Sequence, residues 1–253
     1  MLHTLVHGDA TAASPLLIVH GLFGSARNWG VLAKRLSDTR QVLAVDMRNH
    51  GQSPWTDRHG YDDLAADLAR VIAAHGGTAD VVGHSMGGKA AMMLALTDPD
   101  RVRRLTVADI APVAYGHSQR HLVTAMRGLD PAALDSRSQA DDLLAPAVPD
   151  RATRAFLLQS LDLKAGRWRL NLDTLDAEMD RITGWPDTAG RTAQHPALFL
   201  SGGASDYVLP AHRAPIKALF PNARFARIPG AAHWLHADKP REFEAALRAW
   251  LDA

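Results

Sequence analysis

The chain has 253 residues, with 28 lysines and arginines against 27 aspartates and glutamates, for a formal net charge of +1. This balance argues against a protein that binds nucleic acid through a global positive field, and we expect no nucleic-acid partner. The sequence has no cysteine, which excludes disulfides, thiolate metal sites and a cysteine nucleophile. The first residues lack the pattern of a signal peptide and no apolar run is long enough to span a membrane, so we expect a cytoplasmic protein.

The first half of the chain alternates short apolar runs with helical periodicity. The runs at 16–19, 42–45, 81–82 and 105–108 predict strands buried on both faces. Residues 61–75 carry apolar side chains at the spacing of an amphipathic helix. This alternation predicts a mostly parallel central sheet with helices on both faces, whose ligands bind beyond the carboxyl ends of the strands.

The stretch from 112 to 191 interrupts this rhythm. It has no buried-strand run, its charges balance, and prolines punctuate it. We interpret it as an inserted helical cap, flanked by two parts of one α/β core at 1–111 and 192–253. Strand and helix patterns resume after it, and the last helix is predicted to begin at Pro240, which favours the first helical turn.

The segment around Ser85 carries the strongest motif. Gly83, Ser85 and Gly87 form the pattern G-x-S-x-G, which follows a predicted strand and opens a predicted helix. That context is typical of a nucleophile elbow, in which a sharp turn exposes a serine hydroxyl at the top of the sheet. Ser85 is therefore the candidate nucleophile.

The same segment nearly matches a phosphate-binding loop, since Gly83, Gly88 and Lys89 have its spacing. Ala90 stands where that loop needs the hydroxyl that holds magnesium, which argues against an NTPase. The sequence has neither zinc-ligand spacing nor a dinucleotide motif, so we expect no metal and no cofactor.

A serine nucleophile needs a base and an orienting acid. His233 is the candidate base, because it follows a small-residue turn between the last strand and the last helix, and His236 is its competitor. The acid is either Asp109, at the end of a strand, or Asp206, in the loop after the following strand; the pattern alone leaves both open. The order of Ser85 before acid before His233 agrees with that of an α/β hydrolase.

The oxyanion hole is expected from the glycine-rich loop at 20–25 and from the residue after the nucleophile. The predicted donors are the main-chain N–H groups of Leu22 and Met86, with His20 bracing the loop. The candidate substrate-contacting side chains are Phe23, His84 and Trp234.

The segment from Asp46 to Pro54 is dense in polar residues. Arg48 or His50 could bind substrate there, but we favour a hydrogen-bonded turn that holds the loop.

With these residues in place, the chain resembles the α/β-hydrolase superfamily over nearly its whole length. It is similar to bacterial esterases of the YbfF type and to ABHD11-like hydrolases. The resemblance implies Ser85 as nucleophile, His233 as base and activity on acyl esters or thioesters. It also favours Asp109 as the acid, because the position of Asp206 is often not acidic in this group. The matching stretches are residues 20–25, 46–53, 83–89, 109–112, 168–173 and 230–237.

We therefore expect a serine esterase or thioesterase that acts on a small-molecule acyl substrate through an acyl-enzyme intermediate. A cofactor-free C–C hydrolase and a perhydrolase share the same triad and fold, and remain alternatives. A binding protein that has the fold but no catalysis is a third alternative.

Overall fold

The computed structural model describes residues 1–253, and a seven-stranded sheet forms its centre. The strands are β1 (Thr4–His7), β2 (Leu16–Val19), β3 (Val42–Val45), β4 (Ala79–His84), β5 (Val102–Ala108), β6 (Leu161–Asp162), β7 (Arg167–Trp168), β8 (Ala197–Gly202) and β9 (Ala223–Ile228). The helices are α1 (Gly30–Leu36), α2 (Tyr61–Ala74), α3 (Met86–Thr97), α4 (Arg120–Arg127), α5 (Arg137–Leu144), α6 (Arg151–Leu157), α7 (Leu172–Ala177), α8 (Met179–Thr183), α9 (Arg213–Leu219), α10 (Leu235–Asp238) and α11 (Pro240–Leu251).

The sheet has the strand order β1-β3-β2-β4-β5-β8-β9. Only β1 is antiparallel to its neighbour, and all other pairs are parallel. The prediction of a mostly parallel sheet is therefore confirmed. Since parallel strands end at the same edge, the loops after β2, β4, β5, β8 and β9 meet there.

Two apolar layers cover the two faces of the sheet. Alternate side chains of β2 divide between them, so that Leu17 packs with α2 and α3 while Leu16 packs with α1 and α11. The α2–α3 layer is the larger and continues into the helices between β5 and β8. Because both faces of the sheet are buried, the strands appear in the sequence as continuous apolar runs.

Strands β4 and β5 begin earlier than the apolar runs predicted. Their first residues include Asp80 and Arg103, and the Arg103 Nε donates a hydrogen bond of 2.8 Å to the Asp80 carboxylate. Arg40 binds the same carboxylate at 2.9 Å. Charged residues therefore interrupt the apolar pattern where the strands begin, because the buried Asp80 is neutralised there by buried Arg40 and by the more exposed Arg103.

Five helices, α4 to α8, and the β6–β7 hairpin lie between β5 and β8. The hairpin was not predicted, because strands of two residues are too short to show a period. The Nε1 of Trp168 in β7 donates a hydrogen bond of 3.0 Å to the carbonyl of Met126 in α4, which ties the hairpin to the cap helices. The cap boundaries at 112 and 191 stay a prediction. No helix of this fold has the length and apolar character that crossing a membrane requires.

Four histidines are buried near the carboxyl edge of the sheet, each no more than 3% exposed. Burial disfavours the charged imidazolium and lowers the pKa of His20 to about 4 and that of His50 to about 3. The pKa of His59 and that of His84 are also lowered, again mainly by burial. All four side chains are therefore neutral in the folded protein near pH 7.

We expect Asp80→Asn to lower the free energy of unfolding by about 3–5 kcal/mol, because it leaves the buried guanidinium of Arg40 without its buried charge partner. Asp252 is the matched control: it contacts the same Arg40, but its side chain is 70% exposed, so Asp252→Asn should cost no more than about 1 kcal/mol. Urea unfolding followed by circular dichroism measures both. Equal losses would contradict the role given to the buried cluster.

The four buried histidines predict a stability that falls with acidity. In the unfolded chain a histidine binds a proton near pH 6.5, whereas these four stay neutral in the folded protein to lower pH. Between pH 6.5 and 5 the unfolded state therefore binds more protons, and stability is lost as the pH falls, by up to about 1.4 kcal/mol per pH unit for each such histidine. Urea unfolding across this window should show the decline. A variant at exposed His121, His121→Gln, should leave it unchanged, and a flat profile in the wild type would contradict the prediction.

Candidate active site

Ser85 lies at the sharp turn between β4 and α3. Its backbone has φ 51° and ψ −121°, a strained conformation for a residue with a side chain, which costs about 1–3 kcal/mol. Its N–H donates to the carbonyl of Ala108 at 3.0 Å, which ties the turn to β5. A Cβ on Gly83 would clash with the main chain of Gly87, and a Cβ on Gly87 would clash with the carbonyl of His20. The two motif glycines therefore allow the close packing that holds Ser85 in this conformation.

His233 lies on the loop between β9 and α10, against Ser85. Its Nε2 is 3.1 Å from the Ser85 Oγ, and its Nδ1 is 2.8 Å from the Asp109 Oδ2. A carboxylate only accepts, so Nδ1 carries the proton and Nε2 is free to accept one from the serine. The Nε2 of His84 donates to the His233 carbonyl at 2.8 Å and so helps to hold the loop that carries His233.

Asp109 directly follows β5 and is fully buried. Its backbone also has a left-handed φ, of 52°. Besides His233, its carboxylate accepts a hydrogen bond of 2.9 Å from the Gly202 N–H and one of 2.5 Å from the Ser205 hydroxyl. The two donors from the end of β8 and its following loop therefore hold the carboxylate in place to accept the hydrogen bond from the imidazole.

Asp206, the other candidate acid, is exposed and makes no hydrogen bond to His233. The loop after β8 turns so that the hydroxyl of Ser205 points inward, and the Tyr207 ring stacks on the His233 ring at 3.7 Å between centroids. The structure therefore brings Asp109, and not Asp206, to His233. Sequence reasoning also missed Ser205 and Tyr207, whose only signal was their place beside an aspartate already under consideration.

The N–H groups of Leu22 and Met86 have no hydrogen-bond partner within the chain. Met86 is the first residue of α3, where a helix leaves its N–H groups free. The neighbouring loop passes close to the serine, since a Cβ on Gly21 would lie 3.2 Å from the Ser85 Cβ. The N–H groups of both predicted oxyanion donors are thus free and border Ser85.

Two of the buried histidines hold this loop in place. The Nδ1 of His20 donates to the Gly21 carbonyl at 2.8 Å, and its Nε2 accepts from the Met47 N–H at 2.9 Å. The Nε2 of His50 accepts from the Phe23 N–H at 3.1 Å. A ring nitrogen accepts only when it is unprotonated, so the low pKa of each histidine favours this arrangement. His20 therefore braces the loop, as predicted.

The polar segment after β3 is a hydrogen-bonded turn. The Asp46 carboxylate accepts a hydrogen bond of 2.8 Å from the Ala26 N–H, and the Arg48 Nε donates to Asp67 at 2.6 Å. Neither Arg48 nor His50 lines the cavity at the nucleophile. The structural interpretation of this segment therefore holds, and that of a substrate ligand does not.

A cavity of about 710 Å³ opens beside Ser85, and about half of its lining residues are hydrophobic. Phe23, His84 and Trp234, the three candidate substrate contacts, all line it. The cap closes one side, where the Phe156 ring in α6 packs on Trp234 at 5.1 Å between centroids. The cavity thus lies between the sheet edge and the cap.

The alternative phosphate-binding loop is not formed. Gly88 and Lys89 lie inside α3, and the Lys89 ammonium donates to the carbonyls of Thr183 and Gly184. The lysine that would bind a phosphate is therefore engaged elsewhere, and the segment is a serine turn.

Comparison with known proteins supports this fold. Residues 14–240 match the family described as α/β hydrolase fold. The chain is 42% identical to a mouse sn-1-specific diacylglycerol lipase, ABHD11, over 98% of its length and 84% of the relative. It is 40% identical to the Escherichia coli esterase YbfF, over 94% and 93% of the two chains.

A solved structure described as a marine microorganism esterase superimposes with a TM-score of 0.92. It is 35% identical in sequence, and the match covers 98% of both chains. The chain therefore belongs to the α/β-hydrolase fold family, among its esterase- and lipase-type members.

Proposed function

We propose that the protein is a serine esterase that cleaves acyl esters or acyl thioesters through a triad of Ser85, His233 and Asp109. The observation that carries the proposal is the continuous chain of two hydrogen bonds, from the Ser85 Oγ to the His233 Nε2 and from the His233 Nδ1 to Asp109. It is the arrangement that makes a serine hydroxyl nucleophilic near neutral pH.

In the proposed acylation step, the Ser85 Oγ attacks the acyl carbonyl carbon while its proton passes to the His233 Nε2. Asp109 keeps the ring in the tautomer that can accept this proton and stabilises the imidazolium that forms. The carbonyl oxygen becomes an oxyanion, and the free N–H groups of Leu22 and Met86 donate to it. The imidazolium then protonates the departing alcohol or thiol, and the acyl group stays on Ser85.

The proposed second step reverses these roles. His233 takes a proton from a water molecule, which attacks the acyl-enzyme carbonyl, and then returns the proton to the Ser85 Oγ as the acid leaves. Gly202 and Ser205 hold the Asp109 carboxylate, which in turn keeps the ring in one orientation, so that the same Nε2 can serve both steps.

The cavity supports an acyl group as the part of the substrate that is bound. Half of its lining is apolar, which favours a hydrocarbon chain over a sugar or a nucleotide. The named activities of the two relatives, a diacylglycerol lipase and an esterase, are also on acyl esters. A thioester presents the same carbonyl to Ser85, so the proposal covers both leaving groups.

We expect Ser85→Ala to lower kcat/KM for p-nitrophenyl esters by at least about 10⁴-fold, because it removes the nucleophile. A fluorophosphonate probe should label the wild type at Ser85 and leave the variant unlabelled. Acyl-CoA thioesters tested beside the p-nitrophenyl series separate the two leaving groups. A folded wild type that neither takes up the probe nor hydrolyses any ester would overturn the proposal and favour a binding protein.

The two aspartates provide a matched pair of variants. Asp109→Asn should lower kcat by about 10³- to 10⁴-fold, because an amide can hold the wrong tautomer of His233. Asp206→Asn removes an exposed carboxylate and should change kcat by less than about threefold. Steady-state kinetics on one p-nitrophenyl ester compares them, and the reverse ranking would contradict the assignment of Asp109.

A further inference from the structure

Lys89 is a buried lysine with no carboxylate partner, and burial lowers the pKa of its ammonium group to about 7. It lies on α3 one turn after Ser85 and is 1% exposed. Its Nζ donates hydrogen bonds of 2.9 Å to the Thr183 carbonyl and 2.6 Å to the Gly184 carbonyl, and no acid lies within ion-pair distance. A buried ammonium is costly unless its donors are satisfied, so these carbonyls are its compensating partners.

The carbonyls that Lys89 binds belong to the end of α8, where the cap chain returns to the core. Three successive carbonyls there accept hydrogen bonds. The Tyr61 hydroxyl donates to Ile182 at 2.6 Å, and the Tyr115 N–H donates to Thr183 at 3.0 Å. The last carbonyls of a helix have no partner inside the helix, and here the surrounding structure supplies donors to Ile182, Thr183 and Gly184.

Lys89 also contacts the segment by which the chain leaves the core. Its Nζ lies 4.8 Å from the centre of the Tyr115 ring, within the range of a cation–π contact. The Tyr115 hydroxyl accepts from the Ala111 N–H at 2.9 Å and donates to the Tyr207 carbonyl at 2.7 Å. One side chain of the nucleophile helix thus joins both ends of the cap.

We propose that Lys89 is a positioning residue that fixes the cap against the nucleophile helix and so sets the preference of the enzyme for acyl-chain length. Lys89, Tyr115, Ile182 and Thr183 line the same cavity as Ser85. A shift of the cap junction therefore moves the wall of this cavity. The hydrogen bonds of the triad lie instead in loops at the ends of the core strands. This proposal rests on the proposed esterase activity.

The test replaces Lys89 by methionine, which has a similar length but cannot donate. Relative to wild type, Lys89→Met should lose at least about tenfold more kcat/KM on p-nitrophenyl octanoate than on the acetate, mainly through KM, because the longer chain depends on the wall. The rate of fluorophosphonate labelling reports the state of the triad in the same variant.

Arg154→Met is the matched control. Arg154 is a buried cation within the cap that binds Asp141 at 2.8 Å and the carbonyls of Val148 and Pro149. Its loss should lower the Tm and leave the octanoate-to-acetate ratio unchanged. Equal changes of that ratio in Lys89→Met and Arg154→Met would overturn the proposal, since they would show a general effect of cap stability.

Hydrogen–deuterium exchange tests the junction without relying on activity. In Lys89→Met the amide of Tyr115, which donates to Thr183, should exchange faster than in wild type and in Arg154→Met. If Lys89→Met does not fold, Lys89→Gln keeps one donor and should show smaller changes in the same direction. The proposal would be overturned if Lys89→Met folds and reacts with the fluorophosphonate probe but shows the wild-type exchange rate at the Tyr115 amide and the wild-type octanoate-to-acetate ratio of kcat/KM. A wild type without esterase activity would instead refute the proposed function, and the exchange result would still report on the junction.

Discussion

The carboxylate of Asp109 is fully buried and has no lysine or arginine beside it. A carboxylate in such surroundings is costly unless hydrogen bonds stabilise it. Its three donors come from the end of β8, from the loop that follows β8, and from the loop after β9. Asp109, the end of β8 with its following loop, and the loop after β9 are well separated in the sequence, so the need to satisfy one carboxylate brings together the carboxyl ends of three strands and orients His233.

The same edge of the sheet holds most of the backbone strain in the fold. Of the five non-glycine residues with left-handed φ, four lie at this edge or in the loops that hold it: Phe23, Asn49, Ser85 and Asp109. Each such conformation costs about 1–3 kcal/mol and persists only where neighbouring contacts hold it. Here those contacts are the hydrogen bonds of buried neutral histidines and of adjacent strands. The buried histidines thus help to hold the strained backbone in place, and the strained backbone keeps the free N–H groups of Leu22 and Met86 beside Ser85.

The cap completes the cavity by a different means. It is tied to the core through one short stretch of main-chain pairing, between residues 169–171 and 49–51, and through the carbonyls at the end of α8. Single side chains such as Lys89 and Ser160 add to these ties, and the Ser160 hydroxyl donates to the Phe23 carbonyl at 3.0 Å. In contrast, the core strands are joined by continuous ladders. The geometry of the proposed triad therefore depends on the sheet, while the shape of the cavity beside Ser85 also depends on a few side-chain contacts of the cap, which single substitutions can change.

Local patterns in the sequence were sufficient for the six parallel strands of the sheet, for the turn at Ser85 and for the loop that carries His233, but they did not predict the edge strand β1. Apolar runs and the G-x-S-x-G spacing are properties of neighbouring residues, and they keep their meaning in any compact fold. The early starts of β4 and β5 were not visible, because the pairing of Asp80 with Arg103 joins residues on different strands.

The sequence by itself therefore determined the fold class and placed Ser85, His233 and both candidate aspartates at one edge of the sheet. Only the tertiary structure decided that Asp109 rather than Asp206 meets His233, because this depends on how the loop after β8 turns. It alone also brought Ser205 to the carboxylate and Lys89 to the end of α8. Each of these contacts joins residues about a hundred positions apart. No local pattern predicts which of several polar side chains will lie nearest to such a distant partner in the folded chain.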